Sequence, residues 1–202
     1  SALHMFGDMS FWKFFFRELG FSTVSSGVMK DPVSGGKRLA GAEFCAPMHA
    51  MHAHVKWLED KADYIFMPAA LESRSASEPA KELYCYYTQF SPSLASLLSE
   101  TIKEKAIVPL LRFEKGLPFV LRTLRDALDG KGGRKINLSE IKSAWNLATA
   151  EDNRQKEGLQ ELFEMNYDPG RDLSVVLLGR PYMILSEQMN NNIPGIFGGL
   201  GI

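Results

Sequence analysis

The 202-residue chain predicts an α/β fold, and three observations carry the prediction. Helical apolar patterns alternate with short apolar runs, the order that lays helices over a sheet. Gly, Pro, Ser and Asn stand at the ends of those runs, where turns and helix caps belong. Ser174–Leu178 is apolar without a break, as expected of a strand buried on both faces and therefore parallel to its neighbours. The expected architecture is a Rossmann-like lobe with a parallel sheet over 1–130, a helical connector over 131–170, and the start of a second α/β lobe over 171–202.

Composition narrows the function. With 45% hydrophobic residues the chain can bury a sizeable core. Twenty-three basic and 24 acidic residues give a net charge of −1 with no long run of either sign. That balance argues against a nucleic-acid partner and against a polybasic membrane patch. No apolar run is long enough to span a bilayer, and no secretory leader pattern is present. Two cysteines do not make a disulfide framework. The expectation is a cytoplasmic protein. Opening at Ser1 and stopping at Gly201-Ile202, the chain reads as a fragment of a longer polypeptide.

Phe6–Leu19 is aromatic on more than one face, which predicts a helix packed on both a sheet and a neighbour. Gly20 would follow it at the C′ position, and Phe21–Ser25 would be a short strand. Asp31–Gly41, rich in Gly, Ser and Pro, predicts a loop. Its Gly35-Gly36-Lys37-Arg38 lacks the preceding Gly and following Ser or Thr of a phosphate loop. Pro47 marks the first turn of an amphipathic helix from Met48 that ends near Lys61. Asp63–Pro68 predicts a strand, Glu72–Glu82 a loop, and the stretch after Pro92 a helix to about Lys103. Ala106–Leu111 is a second strand and Leu117–Leu128 a helix. Gly130–Gly133 reads as a flexible linker, and Asn137 with Glu140 as a capping box opening a long helix.

Three groups carry candidate chemistry. Cys45 lies at the mouth of the Pro47 helix, where orphan amides and the dipole favour a thiolate, and Cys85 sits in a later loop. Such a thiolate can be a nucleophile, a redox thiol or a metal ligand, while a buried Cys is simply a small apolar residue. His49 and His52 share a helix face from which His54 is turned away, so Cys45, His49 and His52 could supply three of four zinc ligands. Arg180, in Gly179-Arg180-Pro181-Tyr182 at the carboxyl end of the predicted 174–178 strand, could pair with a phosphate or carboxylate. No Ser-His-Asp spacing, paired-carboxylate motif or dinucleotide turn is present.

Glu43-Phe44-Cys45-Ala46-Pro47, Cys85 with Gln89, and Leu178-Gly179-Arg180-Pro181-Tyr182 with Asn190 and Ile193-Pro194 together resemble one family. It is the CoA-substrate-specific enzyme activase domain, related to subunits of 2-hydroxyacyl-CoA dehydratase and benzoyl-CoA reductase. The segment from Ala2 through Phe11-Trp12 to Phe21 is similar to that family's first helix. The resemblance implies an iron–sulfur cluster, of the 4Fe-4S type, held by cysteine thiolates with Cys45 and Cys85 as metal ligands. It implies a further cysteine beyond Ile202, and a cofactor-binding part for Arg180, Tyr182 and Asn190. The implied partners are ATPase activator domains in the same or a separate chain and a CoA-ester dehydratase or reductase of anaerobic metabolism. A homodimer is compatible with it. Tyr86 stands where the family often has Pro, and Glu187 is the nearest acidic residue after the Arg180 turn. Residue chemistry alone leaves two alternatives: a non-catalytic α/β interaction module, or an acyl-CoA or nucleotide-binding module without metal.

Overall fold

The computed structural model describes residues 3–74, 83–167, 170 and 175–201. The chain is mixed α/β, mostly helical, with helices on both faces of a short parallel ladder. In that ladder β1 (Ile65–Phe66) pairs with β3 (Ala106–Ile107), and β2 (Ala69–Ala70) pairs with β4 (Leu110–Leu111). Both pairs keep the same register, so Pro68 falls opposite Pro109. Neither proline has an N–H to give, and their alignment divides one ladder into two. Bonds from the Met67 N–H to the Ile107 carbonyl (2.9 Å) and from the Ala69 N–H to the Pro109 carbonyl (2.9 Å) bridge the division. The two strands expected from the sequence are therefore present and parallel, each interrupted at its proline.

Side chains alternate across this ladder. Ile107 and Leu111 face a core built from α1 (His4–Glu18), α6 (Leu117–Leu128) and α7 (Leu138–Asn166), in which Phe11, Phe15, Leu124 and Ile141 are fully buried. Ile65 and Met67 face a second core formed with α3 (Ala46–Leu58), α4 (Tyr86–Ala95) and α5 (Glu100–Lys105). Trp145 of α7 meets Phe11 edge to face, with ring centroids 4.8 Å apart, the geometry aromatic quadrupoles favour. α7 begins with the expected capping box: the Asn137 side chain accepts from the Glu140 N–H (3.0 Å) and Glu140 accepts from the Asn137 N–H (2.9 Å). Gly130–Gly133 forms a tight turn rather than a loose tether, closed by the Gly130 N–H on the Arg134 carbonyl (3.0 Å).

Several local expectations are corrected. Asp31–Gly41 contains a helix, α2 (Pro32–Ala40), and the residues that suggested a loop are its punctuation. Asp31 is the N-cap, accepting from the Ser34 N–H, Pro32 begins the helix, and Gly41 ends it at φ 63°. Gly36 lets α2 lie directly on α3, because a Cβ there would come 1.6 Å from the His49 carbonyl oxygen. The α3 helix is not amphipathic: every residue from Met48 to Val55 is buried, enclosed by α2, α4 and the ladder. Phe21–Ser25 is irregular chain with no strand partner among the described residues, and it lines the same cleft as residues of α1 and α3. The helix expected after Pro92 is two helices, with Pro92 inside α4 and Ser99 capping α5 through the Ile102 N–H (3.1 Å). Glu72–Glu82 lies largely outside the described residues.

The 174–178 segment is also corrected. Ser174 lies outside the described residues, and 175–178 is unpaired chain with Val176 77% and Leu178 89% exposed. A continuous apolar run matched a buried strand in pattern but pairs with no strand among the described residues. After it come three short helices, α8 (Pro181–Ile184), α9 (Glu187–Asn190) and α10 (Ile193–Gly199). A strand-end ligand site at Arg180 therefore loses its structural basis.

Candidate functional site

Both cysteines take the same backbone position. Cys45 is the N-cap of α3 (φ −67°, ψ 152°) and Cys85 the N-cap of α4 (φ −62°, ψ 155°). Pro47 at the second helical position fixes the entry to α3, while α4 starts on Tyr86 and Tyr87. The two helices pack together, and the Phe44 ring ahead of Cys45 meets the Tyr87 ring just after Cys85, with centroids 5.9 Å apart and edge to face. Two helix mouths thus lie side by side. Both thiols are free and exposed.

Cys85 is the more worked of the two. Its sulfur lies 3.3 Å from the Thr88 hydroxyl and accepts from an Arg180 guanidinium nitrogen at 3.6 Å. Partial burial alone would push this thiol up. The Thr88 hydroxyl and backbone together with the Arg180 charge outweigh it and hold the thiol at about 7, below its usual 9. The same Arg180 nitrogen donates to the Tyr182 hydroxyl at 2.9 Å, and these contacts raise the guanidinium further above its ordinary value. A half-ionised, accessible thiol at a helix mouth beside a fixed cation can act as a nucleophile, exchange with disulfides or bind a soft metal.

Asn190 is occupied locally. Its amide N–H donates to the Ile184 carbonyl (2.6 Å) and its oxygen accepts from the Asn192 N–H (2.8 Å), so it joins α8 to α9. The structure brings Cys85, Arg180 and Tyr182 together and leaves Asn190 holding the turn behind them. Thr88 gave no warning in the sequence beyond its place three residues after the cysteine. The Cys85–Arg180 contact spans 95 positions, and no local pattern announces it.

The histidines do not assemble with Cys45. The Phe44 N–H donates to His49 Nε2 at 3.2 Å, so His49 stitches the Cys45 loop to its own helix. Burial lowers the His52 pKa, with neighbouring His49 adding to the effect, and its ring lies 5.8 Å from Phe44. His54 reaches the other way, to the Ser26 hydroxyl at 2.7 Å. Among the described residues no group of three or more His, Cys, Asp or Glu side chains converges on a point where a metal ion could sit. The donors present for a cluster are two thiols, against the four that an iron–sulfur cluster uses.

A partly buried ionic cluster gathers around Arg74. Arg74 pairs with Asp152 (2.7 Å) and Asp8 (3.3 Å), and Lys156 pairs with Asp152 (2.9 Å). The Arg74 guanidinium also lies over the Phe11 ring at 3.9 Å. Burial raises the Asp8 carboxyl, while Asp152 is held below the usual range, its burial outweighed by Arg74 and Lys156. This cluster ties the segment leading to Cys85 onto α1 and α7.

No helix among the described residues is long and apolar enough to cross a membrane. No curated protein and no solved structure matches the chain. A family model described as a CoA enzyme activase uncharacterised domain matches residues 1–202. The resemblance carried by the Cys45, Cys85 and Gly-Arg-Pro-Tyr segments thus extends along the entire sequence, and the chain belongs to the CoA enzyme activase family through this domain.

Proposed function

We propose that this domain serves an activator of CoA-ester dehydratases or reductases, with Cys45 and Cys85 contributing two thiolate ligands to a 4Fe-4S cluster. The observation that carries the reading is the pair of free, exposed thiols at the mouths of two packed helices, one of them held at about 7 beside Arg180. Iron–sulfur clusters take thiolate ligands, and N–H groups and cations around the sulfurs tune their potential. When bound, such a cluster supplies one-electron transfer at low potential. The residues of this chain would set the surroundings: Arg180 stabilises negative charge on the Cys85 sulfur, Thr88 orients it, and both cysteines stand at the positive end of a helix dipole. The remaining ligands come from outside these two helices, in another part of the assembly. ATP-hydrolysing activator domains and a CoA-ester enzyme are the partners on either side of the electron path.

Anaerobic reconstitution of the purified domain with its ATPase partner, iron and sulfide tests this. The expected result is a brown protein with a thiolate-to-iron absorption band and an iron content that falls on Cys45→Ser and on Cys85→Ser. No iron uptake, together with unchanged partner activation by both serine variants, would make the domain an interaction module without metal.

A further inference from the structure

We propose that the cleft between α1 and α3 is a binding site for a single-chain amphiphile, an apolar tail ending in a carboxylate or phosphate. The cleft has a volume of about 540 Å³, within the range of small-molecule sites. Trp12 and Phe16 of α1, Met51 and Val55 of α3, and Ile65 and Phe66 of β1 line it, and the 20–26 segment completes the lining. Interiors are packed to near-crystalline density, so an apolar space of this size is not ordinary core.

Charge around the cleft is one-sided. Lys13, Lys61 and Lys131 border it against a single acid, Asp63. Lys13 has no hydrogen-bond or ion-pair partner among the described residues. Among the described residues the Lys61 ammonium pairs with exposed Asp60 (2.8 Å) and the Trp57 ring, and Lys131 lies 5.3 Å from the Tyr64 ring centroid. Such exposed contacts are weak and leave these ammonium groups able to meet an anion. His54, which also borders the cleft, is bonded to Ser26 and pushed by burial down to about 4, so it adds no charge at neutral pH. An apolar wall and a cationic rim together specify an anionic amphiphile. The site shares none of Cys45, Cys85 and Arg180, so its failure leaves the thiol-centred reading intact.

The test is calorimetric titration of the domain with dodecanoate, dodecyl phosphate and uncharged dodecyl maltoside, each below its micelle concentration. The expected result is micromolar binding of at least one anion, with the maltoside weaker by about tenfold or more, equivalent to some 1.4 kcal/mol. The tighter anion identifies the headgroup. Lys13→Met with Lys131→Met should remove the preference for anions while preserving the thermal midpoint. Val55→Trp, which fills the cleft, should abolish binding if it folds, and the lysine variant decides if it does not. Equal binding of all three amphiphiles, no binding at millimolar concentration, or an anion preference untouched by the lysine variant would overturn the proposal.

Discussion

The Arg180 guanidinium lies 3.6 Å from the Cys85 sulfur and holds two distant parts of the chain on one thiol. In iron-free protein carrying Cys45→Ser, the rate of Cys85 alkylation by iodoacetamide should rise with pH through a midpoint near the thiol's value of about 7. Arg180→Ala removes the cation and should move that midpoint upward, toward the ordinary 9, slowing the reaction at neutral pH. Arg180→Lys should recover part of the shift. A midpoint unchanged in Arg180→Ala would assign the ionisation to Thr88 and the helix mouth alone.

The two glycines of α2 should respond oppositely to alanine. A Cβ on Gly36 would overlap the His49 carbonyl at 1.6 Å, so Gly36→Ala must force α2 off α3, at a cost of about 2 kcal/mol or more. At Gly35 the new methyl would meet the Ala53 Cβ at 3.7 Å, an ordinary contact. Gly35→Ala should therefore be neutral or stabilising by roughly 0.5–1 kcal/mol through helix propensity. Denaturant midpoints of the two variants against the parent decide it.

Arg74 balances two carboxylates in a mostly buried place. Arg74→Met keeps much of the apolar stem but leaves Asp8 and Asp152 without their shared cation, for a loss of about 3–5 kcal/mol. Adding Asp8→Asn to that variant should recover part of the loss, read by urea unfolding. Independent, additive effects of the two substitutions would show that the cluster is not acting as a unit.

Acid should destabilise the fold in a defined window. Burial pushes His4 and His54 each down to about 4, whereas the unfolded chain protonates them near 6.5. Between those values the unfolded state takes up protons that the folded state refuses, so stability falls as pH drops from 6.5 and levels off below about 4. Each histidine accounts for an effect of about 3 kcal/mol. His4→Phe, which keeps a ring beside Tyr84, should flatten part of the dependence of urea midpoints on pH. An unaltered slope would clear His4 of any part in it.

What could be read from the sequence was what is determined locally. α1, α6, the Asn137 capping box and the Pro47 entry to α3 follow from periodicity and caps within a few residues. The parallel strands were legible too, but not their division, which depends on Pro68 and Pro109 meeting in register. α2 was hidden because Pro32, Gly35 and Gly36 resemble loop residues until α3 is seen lying against them. The apolar 175–178 run misled for the converse reason: hydrophobicity states a preference for burial and does not supply the neighbour. At the thiol site, the helix-mouth position of Cys45 was visible in Pro47. The partnership of Cys85 with Arg180 was not, since only the fold joins them.

The α7 helix, 29 residues and about 43 Å long, is one rod with two unequal halves. Ile141, Ala144, Trp145 and Ala148 are locked into the core, whereas from Asn153 to Asn166 every residue except Gly158 is exposed. An unsupported helical stretch of that length is marginal in water. Its outer amides should therefore exchange with solvent through local fraying, while the inner ones await opening of the whole core. A single helix then carries two clocks, and a protease given limited time should cut it in the second half first.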